Sequence, residues 1–475
     1  MKIAFIIDKM RFSIPLGIAY LVSLLKKREY AVEVFEMGNH HLNQLLKFRP
    51  AIIGYTVFTG SQHNFIQFNQ ELKERMKFYS VLGGPHPTFF PQIIGYSGID
   101  AICIGEGENA LLNFVQLVEK NKELPEKIPN FWIRKDGKIF KNFVGPLIRD
   151  LDILPFPDTE LFLKKFPHLK LWKRQEIIAH RGCPYQCSYC FNHAYNELYK
   201  NYSFIYRSRS PENICAEIEY ARSLREIKSI YFVDDVFTLD LNWLKKFSPL
   251  YRKHIGIPFS CNIRLDNCSE EIVSLLKEAN CYLVHVGIET GNEEIRKNIL
   301  NKNISNETII KNVKILNKFG IKILTENMLG LPGETYKLSL ETLKLNSLIK
   351  PDIAIASFFT PYPGLKLTEY AIKNDYFEGE YEKLPVNYHH YSILKFKDKK
   401  ELNKIENLRC FFSFLSRNSN FLFLLQKFFS FKNNGLFRFL GNLWDGYYLM
   451  KGLPYKIKIR EFLQFLRIYL TAYRN

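Results

Sequence analysis

The chain has 475 residues, 47% hydrophobic and 24% charged, which allows two to four domains of about 100–200 residues each and excludes wholesale disorder. No apolar run reaches the ~18 residues needed to cross a bilayer, and MKIAFII meets Asp8 and Lys9 too early for a signal peptide, so neither an integral membrane protein nor a secreted one is expected. Lys+Arg 66 against Asp+Glu 48 leaves +18, a field that favours nucleic acid, anionic lipid or phosphorylated partners, although abundant Lys, Asn, Ile, Phe and Tyr also fit AT-rich coding with no selected partner.

The first 115 residues alternate strand and helix signals: KIAFIID, the helical PLGIAYLVSLLKKREY, AVEVFEM, PAIIGYTVF, SVLGG and IDAICIGEGE. This alternation predicts a doubly wound parallel sheet over residues 1–140. No Gly-x-Gly-x-x-Gly follows the first strand, so a dinucleotide site is not supported. Glycines stand instead at later strand ends: Gly54, Gly83–Gly84, Gly105 and Gly107. Ligands of open α/β sheets dock beyond those ends, where a missing side chain lets a bulky ligand approach the backbone.

Residues 141–174, broken by prolines, read as a linker. A second α/β alternation fills 175–385, with strand candidates EIIAHRG, SIYFVDD, FSCNIRLD, LVHVGIET, KILTENMLG and IAIASFFT. Six such units predict a partial (β/α)6 barrel with its active face at the strand C-termini. Over 386–475 the strand signals fade into Phe- and Leu-rich helical stretches. The last of these places Arg460, Gln464, Arg467 and Thr471 on one helical face.

Six of the nine cysteines are dispersed, while Cys183, Cys187 and Cys190 form a C-x3-C-x2-C loop directly after EIIAHRG. Three soft thiolates on one loop suit an iron–sulfur cluster or zinc. Structural zinc wants four protein ligands; no second cysteine or histidine pair lies at a fitting distance, and His193 is the one nearby candidate for a fourth. Three ligands with an open position favour a cluster, with zinc and incidental burial as the alternatives.

Cys183-x3-Cys187-Ser-Tyr189-Cys190 at the end of a first barrel strand resembles the radical S-adenosylmethionine superfamily. VDDVFT, GIETG, GLPGET and PYPG follow the second, fourth, fifth and sixth strands in the matching order, over roughly 175–370. The resemblance implies a partial TIM-like barrel in which Cys183, Cys187 and Cys190 hold three irons of a 4Fe–4S cluster. The fourth iron would bind S-adenosylmethionine. Tyr189 would then lie by the adenine, Asp234 and Asp235 near the methionine amino end, and Glu289 by the ribose hydroxyls. In that family the cluster's electron splits the sulfonium and releases a 5′-deoxyadenosyl radical, while the protein excludes water and positions the target atom.

The first 115 residues are in turn similar to the cobalamin-binding, Rossmann-like domain that precedes the barrel in one branch of the superfamily. PLGIAYLVSLL, RPAIIGYTVF, LGGPHPTFFP and IDAICIGEGEN carry the likeness. It implies cobalamin contacts from Pro15, Leu16, Gly17, Thr56, Val57, Gly83, Gly84, Gly105, Glu106 and Gly107. Mutases and methionine synthase carry Asp-x-His-x-x-Gly after the first strand, the His being the lower cobalt ligand. Here Met10 stands at the His position, so cobalamin either binds without a protein imidazole or has been lost; the strand-end glycines favour binding. His86 reads as a ligand or as a loop histidine satisfied by backbone, the latter preferred.

Together these resemblances imply a cobalamin-dependent radical enzyme that methylates an unactivated carbon. The alternatives are a cyclase or other non-methylating radical reaction, and a non-catalytic lipid- or cofactor-binding protein with a vestigial cluster. The expected partners are a small-molecule or lipid-like substrate and an electron donor such as flavodoxin or ferredoxin. Nucleic acid is not expected: an RNA methylthiotransferase needs three further upstream cysteines, where only Cys103 lies. The Phe-rich tail is read as helices packing on the barrel, with peripheral contact with the inner membrane face as the alternative, and oxygen-sensitive cofactors point to the reducing cytoplasm. His389–His390 are read as loop residues rather than a metal pair.

Overall fold

A computed structural model describes residues 1–202, 205–384 and 391–457. His389–His390 and the segment with Arg460, Gln464, Arg467 and Thr471 lie outside the described residues.

Strands β1 (Lys2–Ile7), β2 (Ala31–Glu36), β3 (Ile52–Thr56), β4 (Tyr79–Gly83) and β5 (Ala101–Cys103) pair in parallel in the order β2-β1-β3-β4-β5. Helices α1 (Leu16–Lys26), α2 (Asn39–Phe48), α3 (Gln62–Arg75), α4 (Pro85–Phe89) and α5 (Glu108–Asn121) connect or follow them. β1 reads as an unbroken apolar run because both of its faces are covered. Ile3, Phe5 and Ile7 join one core with α1 and α5, and Ala4 and Ile6 join the other with Phe65 and Ile66 of α3. The strand order reverses about β1, which opens a crevice outside the carboxyl ends of β1 and β3.

An antiparallel hairpin, β6 (Phe131–Lys135) and β7 (Lys138–Lys141), extends this sheet from β5. The sequence reading found no strands here. The run FWIRKDGKIFK is short and charged, and only its Asp136–Gly137 turn dipeptide signals the hairpin.

After α6 (Thr159–Lys165) the second sheet begins at β8 (Arg174–Ile177). The expected strand EIIAHRG is shorter than predicted: the chain leaves the sheet where Asp234 accepts the His180 N–H. It then forms a two-residue antiparallel pair, β9 (His180–Arg181) with β10 (Arg207–Ser208), on either side of α7 (Phe191–Leu198). Strands β11 (Ser229–Phe232), β12 (Phe259–Ile263), β13 (Cys281–Glu289), β14 (Lys322–Leu329) and β15 (Ile353–Phe358) follow β8 in consecutive, all-parallel order. Helices α8 (Pro211–Leu224), α9 (Leu241–His254), α10 (Glu270–Glu278), α11 (Asn306–Lys318), α12 (Tyr336–Ile349) and α13 (Lys366–Lys373) complete the (β/α)6 pattern. Side chains of Ser210, Asp240, Ser269, Ser305 and Thr335 cap α8 to α12, which fixes where each βα loop ends.

The barrel is open at β15, whose edge carbonyls are met by the C-terminal helices. From α14 (Lys399–Leu415), Ser413 Oγ donates to the Ala354 carbonyl at 2.6 Å and Arg409 Nε to the Ala356 carbonyl at 3.2 Å. α15 (Leu422–Leu425) and α16 (Gly435–Gly452) complete this helical region.

The two sheets are held together by a buried ionic cluster. Glu106, in the loop after β5, pairs with Arg207 at 2.7 Å and Arg181 at 3.3 Å, and Arg181 also pairs with Glu108 at 2.6 Å. Burial alone would raise the Glu106 pKa. The Arg207 hydrogen bond, the charges of Arg181 and Arg207 and the Ile148 N–H outweigh it and hold the carboxylate below its ordinary 4.5. Stability from this carboxylate is therefore fully present above pH 4.5 and is lost as pH falls through the depressed value. Glu106→Ala, which strands two arginines, is expected to cost about 3–5 kcal/mol in urea denaturation at neutral pH. Glu106→Gln should flatten the acid limb of the thermal midpoint against pH; an unchanged acid limb would show that the carboxylate does not clamp the domains.

Candidate active site

The cysteine loop leaves β9 and enters α7, and its thiols are free, Cys183 and Cys187 buried and Cys190 partly so. Ser188 fastens it to the segment after β13, donating its N–H to the Leu300 carbonyl at 3.0 Å and its hydroxyl to the Ile299 carbonyl at 2.6 Å. Asn196 Nδ2 donates to the Cys183 carbonyl at 2.9 Å. His193 is not placed as a fourth ligand. Its Nδ1 lies 2.5 Å from the Cys190 carbonyl and 3.1 Å from the Cys187 carbonyl, and its Nε2 accepts the Lys366 N–H at 3.2 Å. Both ring nitrogens are thus engaged, and the ring ties the loop to the start of α13.

The thiols fit a cluster better than a single ion. Among the described residues, no group of three or more His, Cys, Asp or Glu side chains is placed to hold one metal ion, whereas cysteines that each take a different iron need not converge on one point. Arg264, at the end of β12, points Nη1 at Cys187 Sγ at 3.5 Å, and Asn192 Nδ2 lies 3.4 Å from Cys190 Sγ. Such donors stabilise sulfur-borne negative charge. Without that charge neutralised, burial pushes the Cys183 thiol up to about 11 and the Cys190 thiol up to about 12.

Tyr189, one residue before Cys190, reaches across to the end of β13. Its hydroxyl donates to Glu289 Oε1 at 2.9 Å, and Lys302 Nζ lies 2.9 Å from the same oxygen and 2.6 Å from the Gly287 carbonyl. Burial, then the Glu289 charge, drives the Tyr189 pKa well upward, so the phenol stays a donor. Glu289 has φ 65° at a break in the β13–β14 register, a left-handed conformation that costs a non-glycine residue about 1–3 kcal/mol and persists where surroundings over-determine it. Lys302 supplies that determination, and no sequence signal singled it out: it lies in a turn thirteen positions after the acid. Arg264 and Asn192 were missed for the same reason, although the strand-end position of Arg264 is a general sign of a barrel's active face.

The paired acids after β11 separate. Asp234 is buried, with Oδ1 3.2 Å from His180 Nδ1 and turned to the His180 N–H, while Oδ2 has no hydrogen-bond partner among the described residues. Asp235 lies beside the cysteine loop, with Asn192 hydrogen-bonded to its carboxyl. Desolvation, partly offset by Asn192, raises its pKa, and its charge bears on both Cys183 and Cys190.

At the other sheet, Pro15, Leu16, Gly17, Thr56, Val57, Gly83, Gly84, Gly105, Glu106 and Gly107 gather at or beyond the carboxyl ends of β1, β3, β4 and β5. α1, α4 and α5 start after Pro15, Gly84 and Gly107 with no capping side chain; this leaves the first N–H groups of α1 and α5 for other partners, whereas α4 begins with Pro85 and its His86 N–H donates to the Val57 carbonyl at 3.0 Å. A Cβ at Gly17 would meet nothing within 4 Å. Gly84 has φ +98° and a Cβ there would lie 3.0 Å from the Val57 carbonyl oxygen, so only glycine makes this turn. Met10 does not project from the sheet: its side chain is buried in the core under α1. His86 is buried, and its ring Nδ1 meets the Thr59 hydroxyl at 2.9 Å in place of the expected backbone partner; burial, then His63, lowers its pKa to about 4.

Gly105 and Glu106 face the barrel. Glu106 N–H donates to the Tyr199 hydroxyl at 2.9 Å, and a Cβ at Gly105 would overlap that oxygen at 2.0 Å. Phe89, at the end of α4, lies 5.9 Å from Phe191, the residue after Cys190. The strand-end loops of the two sheets therefore meet directly. A surface cavity of about 320 Å³ between α1, α6 and Tyr220 is separate and contains none of these residues.

Residues 177–345 match the family model of the Radical SAM superfamily and residues 11–115 that of the B12 binding domain. An uncharacterized methyltransferase of Pyrococcus horikoshii, PH0819, is 29% identical over 76% of this chain and 79% of its own length. The anaerobic magnesium-protoporphyrin IX monomethyl ester cyclase of Rubrivivax gelatinosus is 26% identical over 74% of this chain and 64% of its own. In fold, the chain is similar to the cobalamin-dependent S-adenosylmethionine radical enzyme OxsB, with TM-score 0.70 and 15% identity over 99% of this chain and 76% of that one.

Lys302→Met would leave Glu289 buried and unpaired, and is expected to lower unfolding free energy by about 3–5 kcal/mol, with Lys302→Arg intermediate and Tyr189→Phe costing about 1 kcal/mol. Urea denaturation of the metal-free chain measures this; equal midpoints for wild type and Lys302→Met would contradict the network.

Proposed function

We propose that this chain, which belongs to the radical SAM superfamily and carries a B12 binding domain ahead of its barrel, methylates an unactivated carbon of a small-molecule substrate. The observation that supports this reading most is the contact of α4 and the β5 loop with the cysteine loop and α7, because methyl transfer requires the methyl carrier and the radical source to serve one substrate. When bound, a 4Fe–4S cluster supplies the electron that cleaves S-adenosylmethionine, and cobalamin supplies the methyl carrier.

The chain's own residues hold and order these groups. Cys183, Cys187 and Cys190 would take three irons, with Arg264 and Asn192 stabilising the sulfurs. Tyr189 and Glu289, fixed by Lys302, would present a rigid edge to the nucleoside half of S-adenosylmethionine. Asp235, rather than Asp234, would receive its amino group, since Asp234 is committed to His180. The uncapped starts of α1 and α5 and the bare strand-end backbone would receive cobalamin, and Met10, sunk in the core, would take no part in holding it. Glu106 belongs to the frame of that site rather than to its lining. A flavodoxin or ferredoxin would deliver the electron. The similarity to a cyclase supports a second reading, with the same cofactors and a radical ring closure in place of methyl transfer.

The test is anaerobic reconstitution with iron, sulfide and hydroxocobalamin, followed by metal analysis. About four irons and one cobalt per chain are expected, with iron lost in Cys183→Ala, kept in His193→Ala, and cobalt kept in both. Iron without cobalt would remove the methyl carrier. Iron lost in His193→Ala to the level of Cys183→Ala would return that histidine to the ligand set.

A further inference from the structure

The C-terminal helical region presents two apolar faces where one is needed. On α16, Phe437 stacks edge-on against Phe411, Gly441 lies against the Cys410 backbone, Trp444 packs on Phe414, and Tyr448 is buried against Leu283, Leu324 and Ile353. That is the face toward α14 and the barrel. Leu436, Phe439, Leu443, Tyr447 and Met450 recur at steps of three and four on the other face and are 63%, 59%, 53%, 49% and 41% exposed. A helix apolar all round is normally buried on every side; among the described residues, this one is covered on one. The preceding segment, which packs on the same α14 core through Leu422, Leu425 and Phe429, also presents Phe423, Leu424, Phe428 and Phe431, each at least half exposed. Isolated exposed apolar residues need no explanation, but a contiguous array marks a contact surface.

Charge decides the partner. Between Phe421 and Gly452 the basic residues are Lys427, Lys432, Arg438 and Lys451, and the one acid, Asp445, is held by Arg409 at 3.1 Å and by Ser413. The exposed face is thus apolar and cationic with no free carboxylate. Lys427 lies 4.9 Å over the Phe423 ring and Lys451 6.0 Å from that of Tyr447, so cation and aromatic stand side by side as they do at a lipid headgroup layer. A second copy of the same face would bring like charges together. Among the described residues, no helix is long and apolar enough to cross a membrane.

We propose that the α15–α16 surface docks this protein on an anionic lipid bilayer, with its aromatic stripe lying in the headgroup region. The proposal stands independently of the catalytic reading. It is tested by sedimenting the full chain with phosphatidylcholine vesicles that contain or lack phosphatidylglycerol. The expected result is binding to the anionic vesicles alone, weakened by salt. The triple variant Phe423→Ser, Phe431→Ser, Phe439→Ser should bind more than about tenfold more weakly, and Lys427→Gln, Lys432→Gln, Lys451→Gln about fivefold more weakly per charge removed. Thermal midpoints of both variants should match wild type, because the substituted side chains are exposed. Equal binding to both vesicle types, undiminished binding by the phenylalanine variant, or a dimer that this variant dissociates with no vesicle binding would each overturn the proposal.

Discussion

The carboxylate of Glu106, held between the guanidinium groups of Arg181 and Arg207, is the constraint on which the rest of the arrangement depends. A buried ion pair adds little net stability, but removing one partner leaves charge stranded in a low-dielectric interface, so it penalises every other way of docking the two sheets. Because Glu106 follows β5 directly, and Arg181 and Arg207 flank the cysteine loop and α7 in the two-residue pair β9–β10, the clamp acts on the strand-end loops themselves. Tyr199 seals the contact by filling the space that a side chain at Gly105 would need.

The same logic operates inside the barrel. The cysteine loop is held by hydrogen bonds from four directions: Asn196 on the Cys183 carbonyl, Ser188 on the β13 side, His193 on Lys366, and the Leu367 N–H on the Ser188 carbonyl at 2.9 Å. The thiols are therefore presented by a loop whose backbone is already paid for, and ligand binding need not order it. The Tyr189–Glu289–Lys302 network extends this frame to the fourth strand, where the left-handed backbone at Glu289 marks a place at which local comfort gives way to side-chain placement.

What the sequence disclosed follows the range of the interactions involved. The strands of both parallel sheets were legible because apolar runs such as KIAFII and LVHVGIE report burial locally, and the three cysteines because their spacing is set within one loop. The β6–β7 hairpin was lost because charged outer residues hide its alternation. Lys302, Arg264 and Arg207 were not legible, since each acquires its meaning from a partner between 13 and 101 positions away. His193 shows the converse: it stands close in sequence to the cysteines without joining them, and only the placement of Lys366 from the last βα unit reveals its part as a clamp.

The arrangement at stake is the fixed interface across which the two sheets present their strand-end loops to one another. It is tested most directly by electron paramagnetic resonance of the protein loaded with both cofactors, reading the cob(II)alamin signal with the cluster reduced and oxidised. Relaxation of the cobalt signal should be enhanced by the reduced cluster in wild type and lose much of that enhancement in Glu106→Ala at equal cofactor content. A cobalt signal in wild type that is indifferent to the state of the cluster would contradict the account.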